Sequence, residues 1–271
     1  MTAFLSRILV AIFFTAVLSA QASEGVMIKS TTKDLQTSKT TETTIYITAS
    51  KVVMKNDGND DNSVIFDAAT EVFTYVDNSR REYYQFDKAT LIQLKEQIKM
   101  FAQMMKQFSS QMPAAQRKKI DDLINPKAPA IIEYKNVGSG EKIKSWNTIK
   151  YEGYQSGSKI MVLNLATFET LGMEASNFQV LKKMLLYAKE NLQDLASLLP
   201  TGGALSQFSF NKESPILKEG LPVKSLTYRG AVMSSENIVN SVVLVSISDS
   251  EFEVPKGYVR KTIDIQNHLG K

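Results

Sequence analysis

The sequence predicts an α+β protein, in which an antiparallel β-sheet carries its helices on one face. Two observations predict this class. Apolar residues recur with a period near two over most of the chain and with helical 3-4 spacing in two blocks. The blocks follow the order strands, helices, strands, helices, strands, whereas parallel βαβ winding would alternate single strands with single helices. No long linker interrupts this order, so we expect a single domain over residues 23–271.

The first strand block runs from Val26 to Phe86 and is rich in threonine, valine and aromatic residues, which suit a pleated, half-buried surface. Its clearest apolar runs are separated by polar turns and comprise residues 43–47, 52–54, 63–67, 72–76 and 82–86. Short polar turns between such runs are typical of consecutive antiparallel strands. The block therefore predicts an antiparallel meander.

The first helical block begins after Asp87, a residue suited to cap a helix. One apolar stripe at 3-4 spacing follows it and consists of Leu91, Leu94, Ile98, Phe101, Met105, Phe108 and Met112; Ile92, Met100 and Met104 widen this stripe. Pro113 suits the first position of a second, shorter helix, which Asn125-Pro126 ends. We therefore expect a helical hairpin inserted near residues 88–124.

The rest of the chain again alternates between strand-like and helix-like spacing of its apolar residues. Strand patterns return from Ile131 to Leu165, a second helical insertion is expected over residues 175–199, and strands follow up to Ile265. The clearest runs in these strand regions are residues 148–152, 160–163, 221–228, 239–247 and 258–265.

Residues 1–22 have the pattern of a cleavable signal peptide. Arg7 precedes a short apolar run, and Ala20-Gln21-Ala22 supplies the small-x-small pattern before a cleavage site. The apolar run is shorter than the roughly 20 residues that span a bilayer, and no cysteine follows it for acylation. We expect cleavage after Ala22 and a periplasmic protein that does not span the membrane, with an extracellular location as the second choice.

The residues expected of common catalytic sites are missing from the sequence. The chain has no cysteine, and its one histidine, His268, lies near the end of the chain, where few side chains are held rigidly. The acidic stretch at residues 57–61 lacks the glycine and glutamate that a calcium loop requires. The formal net charge of +4 is too small to indicate a nucleic-acid partner. We expect no catalytic residues, no metal and no cofactor, so the protein is not predicted to be an enzyme.

Four segments together resemble a family of exported bacterial proteins that is known only as a domain of unknown function. They are residues 42–55, residues 63–91, the helical segment up to Ile124, and FEVPKGY at residues 252–258. That family is similar to the lipoprotein-localisation-factor (LolA-like) superfamily of periplasmic carriers. The resemblance implies a curved antiparallel sheet, an incomplete β-barrel, with helices covering its concave face. It implies no functional residues, because the family has none assigned.

Two functions are compatible with this sequence. The first is a non-enzymatic binding or carrier protein for an apolar ligand, such as a lipid or an acylated peptide. Its candidate ligand-binding residues line the first helix and are Leu94, Ile98, Phe101, Met104, Met105 and Phe108, where methionine and phenylalanine give an adaptable apolar surface. The second is an envelope scaffold with a closed, dry core, which would bind a protein partner through its loops or edge strands.

Overall fold

The computed structural model describes residues 22–57, 61–107, 132–192 and 214–262. These residues form twelve β-strands and two α-helices. The strands are β1 (Ala22–Asp34), β2 (Thr40–Ile47), β3 (Lys51–Asp57), β4 (Asn62–Asp67), β5 (Val72–Asp77), β6 (Glu82–Phe86), β7 (Glu133–Ser139), β8 (Ile149–Gln155), β9 (Ser158–Thr167), β10 (Gly220–Arg229), β11 (Val232–Ser248) and β12 (Val259–Lys261). The helices are α1 (Lys88–Gln107) and α2 (Gln179–Leu192).

The twelve strands belong to one open sheet, with the order β12-β6-β5-β4-β3-β2-β1-β11-β10-β9-β8-β7. Neighbouring strands are antiparallel, except that β12 runs parallel to β6. The two end strands, β12 and β7, do not pair with each other in the described part of the chain. The predicted α+β class with a large, mostly antiparallel sheet is therefore confirmed.

The predicted meander corresponds to strands β2 to β6, each paired with the next. Three of the turns between early strands share one local structure, in which an aspartate accepts hydrogen bonds from backbone N–H groups two or three residues on. Asp34, Asp67 and Asp77 are these aspartates. The residue four positions after each of them has a positive φ of 54–59°. A short carboxylate that satisfies the turn backbone makes this left-handed residue tolerable.

One face of the sheet is lined by large apolar side chains. Val52, Phe66, Phe73 and Phe86 form a row across four strands, because each is paired directly with the next and paired residues share a face. All four side chains are buried. Together with neighbouring strand residues they contact α1 and α2 in one cluster, which we call the helix-side core; its helix members are Leu91, Leu94, Ile98, Leu181, Met184, Leu185, Tyr187 and Ala188.

The opposite face of strands β3 to β5 is covered by the segment that follows β11. This segment begins with a 3₁₀ turn (Asp249–Phe252), whose Phe252 is buried with Val53, Ile65 and Val76. Glu251 of the same turn forms an ion pair with Lys55 of β3 at 2.5 Å. The segment then ends in β12 at the edge of the sheet, so the two faces of the meander are covered by different parts of the chain.

Two predicted elements differ in detail from the structure. The second helical region begins with a 3₁₀ turn at Ala175–Phe178, where the Asn177 side chain accepts a hydrogen bond from Glu174 N at 2.9 Å and holds the chain in a tighter turn. In the described part of the chain the last strand spans Val259–Lys261 and pairs in parallel, because the covering segment crosses the sheet before it reaches β6. Residues 1–21 of the predicted signal peptide, the helix after Pro113, residues 193–199, residues 263–265 and His268 lie outside the described residues, whereas Ala22 is the first residue of β1.

Candidate functional site

Helix α1 is fixed to the sheet at its N-terminal end. It follows β6 directly, and the Asp87 carboxylate accepts a hydrogen bond from Thr90 N at 2.7 Å. This bond satisfies one of the free N–H groups of the first turn, as the sequence predicted. The hydrogen bonds from the Thr90 backbone and side chain lower the pKa of Asp87 below its ordinary value.

The contact of α1 with the helix-side core is a narrow stripe. Leu91, Leu94 and Ile98 are buried and lie on one face, since a helix repeats every 3.6 residues. The wider stripe that we expected from Ile92, Met100 and Met104 is not present, because all three side chains are exposed. Their positions around the 3.6-residue repeat turn them away from the face that carries Leu91 and Ile98.

The six candidate ligand-binding residues are placed differently along α1. Leu94 and Ile98 are buried in the helix-side core, and Phe101 is half-buried. Met104 is 47% exposed and lies on the outer part of the helix. The side chain of Met105 and the whole of Phe108 lie outside the described residues. The role of these residues in binding a ligand stays a prediction.

Helix α2 packs on the same face and is held to the turn between β4 and β5. Lys183 donates a hydrogen bond to the carbonyl oxygen of Ala68 at 2.7 Å and forms an ion pair with Glu71 at 3.0 Å. Both contacts hold Lys183 at the loop between β4 and β5. The following helical turn of α2 therefore lies over the adjoining ends of β4 and β5. Tyr187 lies at that position, four residues after Lys183.

Tyr187 is packed between aromatic side chains of the sheet. Its ring centroid lies 5.8 Å from those of both Phe66 and Phe73, and these two rings are themselves 4.7 Å apart. The three rings form a buried aromatic cluster that joins α2 to β4 and β5. Such ring pairs add about 0.5–1.5 kcal/mol each beyond the area that they bury.

The hydroxyl group of Tyr187 is buried and has no hydrogen-bond partner among the described residues, and the side chain as a whole is only 7% exposed. Burial raises the pKa of Tyr187 above its ordinary value, and the negative charges of Glu71 and Asp87 raise it further. A buried hydroxyl without a partner costs about 1–3 kcal/mol. Such a group in a folded protein calls for a water or a ligand atom that completes it.

The sequence does not single out Tyr187 as a site residue, because a tyrosine beside an apolar helical stripe is not a specific pattern. Helical spacing in the second helical block places Phe178, Leu181, Leu185 and Ala188 on one apolar stripe, and Tyr187 lies beside this stripe. A tyrosine in that position packs its ring in a core and usually finds a hydrogen-bond partner for its hydroxyl. Whether the partner exists depends on the neighbouring strands, which the sequence pattern does not specify.

The described residues contain no group of three or more histidine, cysteine, aspartate or glutamate side chains that could hold a metal ion. Within the same residues, no helix is long and apolar enough to cross a membrane. The candidate site that the described residues form is an apolar layer that contains the unpartnered hydroxyl of Tyr187. Such a layer can bind and orient an apolar molecule.

Comparison with known proteins gives only distant structural similarity. No protein-family model matches the sequence, and no curated protein sequence matches it. A solved structure of an uncharacterised conserved protein from Thermus thermophilus is similar to 89% of this chain and 93% of its own, with 6% identity and a TM-score of 0.45.

Two further structures are less similar. PNGF-II matches 92% of this chain at 9% identity and a TM-score of 0.38, and the chain spans about a third of PNGF-II, 33% of its length. The LolA superfamily protein NE2245 from Nitrosomonas europaea matches 87% of this chain and 91% of its own, at 8% identity and a TM-score of 0.27. TM-scores this low carry no argument about function, so the LolA-like resemblance stays an expectation from the sequence.

Proposed function

We propose that the chain is a non-enzymatic binding or carrier protein for an apolar ligand, such as a lipid or an acylated peptide. The ligand lies on the helix-side face of the open sheet, under α1. In this proposal the sheet is curved and α1 and α2 cover its concave side. Export by the signal peptide at residues 1–22 delivers the protein to the periplasm.

The observation that carries this proposal is that burial decreases along α1 among its described side chains. Its first half is held by the Asp87 cap and by the buried side chains of Leu91, Leu94 and Ile98. Its second half carries a half-buried Phe101 next to an exposed Met100. A helix with few buried contacts at one end can move there at low cost, as the covers of ligand sites do.

Methionine and phenylalanine on the second half of α1 suit this role. Met104 is 47% exposed and lies close to Phe101 around the helix. Unbranched thioether side chains adapt their shape to apolar partners better than branched ones. When the second half of α1 lifts, Phe101 offers its apolar side chain to a ligand that enters below the helix, and the flexible side chain of Met104 can turn to contact the same ligand.

Titration of the purified chain with a pyrene-labelled fatty acid tests the proposal. We expect saturable binding that unlabelled phospholipid reverses. Phe101→Ala should weaken binding, because Phe101 contacts the proposed ligand site, whereas Met100→Ala is the matched control on the exposed side and should bind as the wild type does. Absence of saturable binding by the wild type would contradict the proposal.

The alternative is an envelope scaffold, and one observation favours it. Leu244 of β11 is 61% exposed, although it is paired with the buried Val26 of β1. An exposed leucine in a strand can belong to a surface that a protein partner covers. Under this alternative Leu244→Ser removes the binding of the partner, and the wild type binds no fatty acid.

A further inference from the structure

We infer that Tyr187 marks where the polar end of the ligand lies, and that this end is a neutral carbonyl group, such as that of an acyl ester or amide. The inference rests on the proposed function. It names the atom of the protein that recognises the ligand and narrows the class of ligand to neutral acyl compounds rather than free fatty acids.

The first step is that the Tyr187 hydroxyl is held in a fixed position and has no hydrogen-bond partner among the described residues. The ring is fixed on two sides by Phe66 and Phe73, with centroids 5.8 Å away. Because the ring is fixed and buried, the hydroxyl cannot turn out to water to find a partner. A phenol is a hydrogen-bond donor as well as an acceptor, so a ligand carbonyl oxygen can accept its proton.

The second step is that Tyr187 lies one helical turn after Lys183, which is held at the turn between β4 and β5. Glu71 belongs to the turn between β4 and β5, and Asp87 precedes α1, so both groups lie at the surface where the helices meet the strand ends. The side chains along α1, from Leu91 to Phe101, are apolar on the face towards the sheet. An acyl chain can therefore lie along α1 with its carbonyl at Tyr187 and its headgroup in water.

The third step concerns the charge of the ligand. The two ionised groups that act on Tyr187 are both acidic, Glu71 and Asp87. Lys183 is near, but it already forms an ion pair with Glu71 at 3.0 Å and a hydrogen bond with Ala68. Because this ion pair offsets the charges of Lys183 and Glu71, a ligand carboxylate at this position would find no free cation among these groups and would meet the like charge of Asp87, whereas an ester or amide carbonyl would not.

The experiment compares three pyrene-labelled probes of equal chain length on the wild type and on Tyr187→Phe. The probes are a methyl ester, the free acid and an alkane. We expect the wild type to bind the ester roughly 3- to 10-fold more tightly than the alkane, which is the contribution of one neutral hydrogen bond. Tyr187→Phe should abolish this preference and leave the affinity for the alkane unchanged.

Tyr134→Phe is the control variant, because Tyr134 packs against a separate buried cluster that contains Tyr151 and Leu163. It should keep the preference for the ester. The unfolding midpoint of Tyr187→Phe should equal or exceed that of the wild type, since the variant removes a buried hydroxyl that has no partner among the described residues.

The other possible results contradict either the inference about Tyr187 or the proposed function itself. If the wild type binds all three probes with equal affinity, or if Tyr187→Phe keeps the ester preference, a water satisfies the hydroxyl and the inference is wrong, while the proposed function stands. Tighter binding of the free acid than of the ester also contradicts the inference. If the wild type binds none of the probes, the proposed function fails as well.

Discussion

The ring of Tyr187 on α2 packs against the ring of Phe66 on β4, with centroids 5.8 Å apart. Phe66 is also paired in register with Phe73, so one helix residue contacts two neighbouring strands at once. This relationship fixes α2 on the sheet. Among the described side chains of α1, burial decreases along the helix, and Phe101 in the second half is only half-buried. The two helices therefore differ in how firmly they are held, and the first prediction measures that difference.

Replacement of Phe101 by alanine should cost clearly less stability than a core phenylalanine does. In a rigid core, Phe→Ala costs about 3–5 kcal/mol. Phe178 supplies the matched control, since it is 1% exposed and stacks on Phe168 with centroids 5.1 Å apart. Denaturant melts of Phe101→Ala and Phe178→Ala give both free energies of unfolding. Equal, core-sized losses would mean that α1 is a rigid part of the core and would favour the scaffold alternative.

The Asp87 cap should make the stability of the protein depend on pH in the acidic range. The pKa of Asp87 is lowered in the folded state, so its contribution is complete above the ordinary carboxyl pKa of 3.8 and is lost as the pH falls through the lowered pKa. Asp87→Ala should cost about 0.5–2 kcal/mol at pH 7 and less at pH 2.

Asp87→Asn is the control for the charge, because asparagine caps a helix about as well as aspartate. This variant should keep most of the stability at pH 7 without the acid dependence at this position. Denaturant melts at pH 7 and pH 2 measure both variants. An Asp87→Ala deficit that is the same at both pH values would show that the carboxylate does not stabilise α1.

The antiparallel class, the meander and the start of α1 were predictable because each depends on local pattern. Apolar residues at every second position indicate a strand with one buried face and one exposed face. An aspartate that precedes apolar residues at 3-4 spacing indicates the start of a helix. The width of the α1 contact was not predictable, because Ile92 and Met100 are as apolar as Leu94 and only the position of the sheet decides which of them is buried. The Tyr187 hydroxyl has no partner among the described residues because of how α2 packs on β4 and β5, which are distant from α2 in sequence.

A second pH dependence is expected at alkaline pH from Tyr151. Its hydroxyl donates a hydrogen bond to Glu219 Oε2 at 2.5 Å and accepts one from Asn136 at 3.2 Å. Burial, followed by the hydrogen bond to Glu219 and its charge, raises the pKa of Tyr151 to about 12. The raised pKa stabilises the fold fully below the ordinary value of 10.0, and this contribution is lost as the pH rises towards about 12.

Tyr151→Phe should therefore cost about 1 kcal/mol at pH 8, where the wild type keeps its hydrogen bond, and less at pH 11.5. Denaturant melts at the two pH values give the difference between wild type and variant. A difference that grows at pH 11.5 would contradict the assigned hydrogen bond.

Cleavage of the signal peptide after Ala22 should leave the folded protein intact. The first fully buried side chain of β1 is that of Val26, and Ser23 and Glu24 extend the pairing of β1 with β11. Amino-terminal sequencing of the protein from the envelope fraction should begin at Ser23. A sequence that begins at Met1, or a protein that stays in carbonate-washed membranes, would contradict the proposed export and release.

Native mass spectrometry of the protein purified from the envelope tests the proposed apolar ligand most directly. We expect the mass of residues 23–271 plus a lipid-sized mass, which collisional activation releases as a neutral acyl compound. The Tyr187→Phe protein should retain less of this added mass, because it lacks the proposed hydrogen bond to the ligand. A spectrum that contains only the polypeptide, from a protein that also binds no fatty-acid probe, would contradict the carrier function.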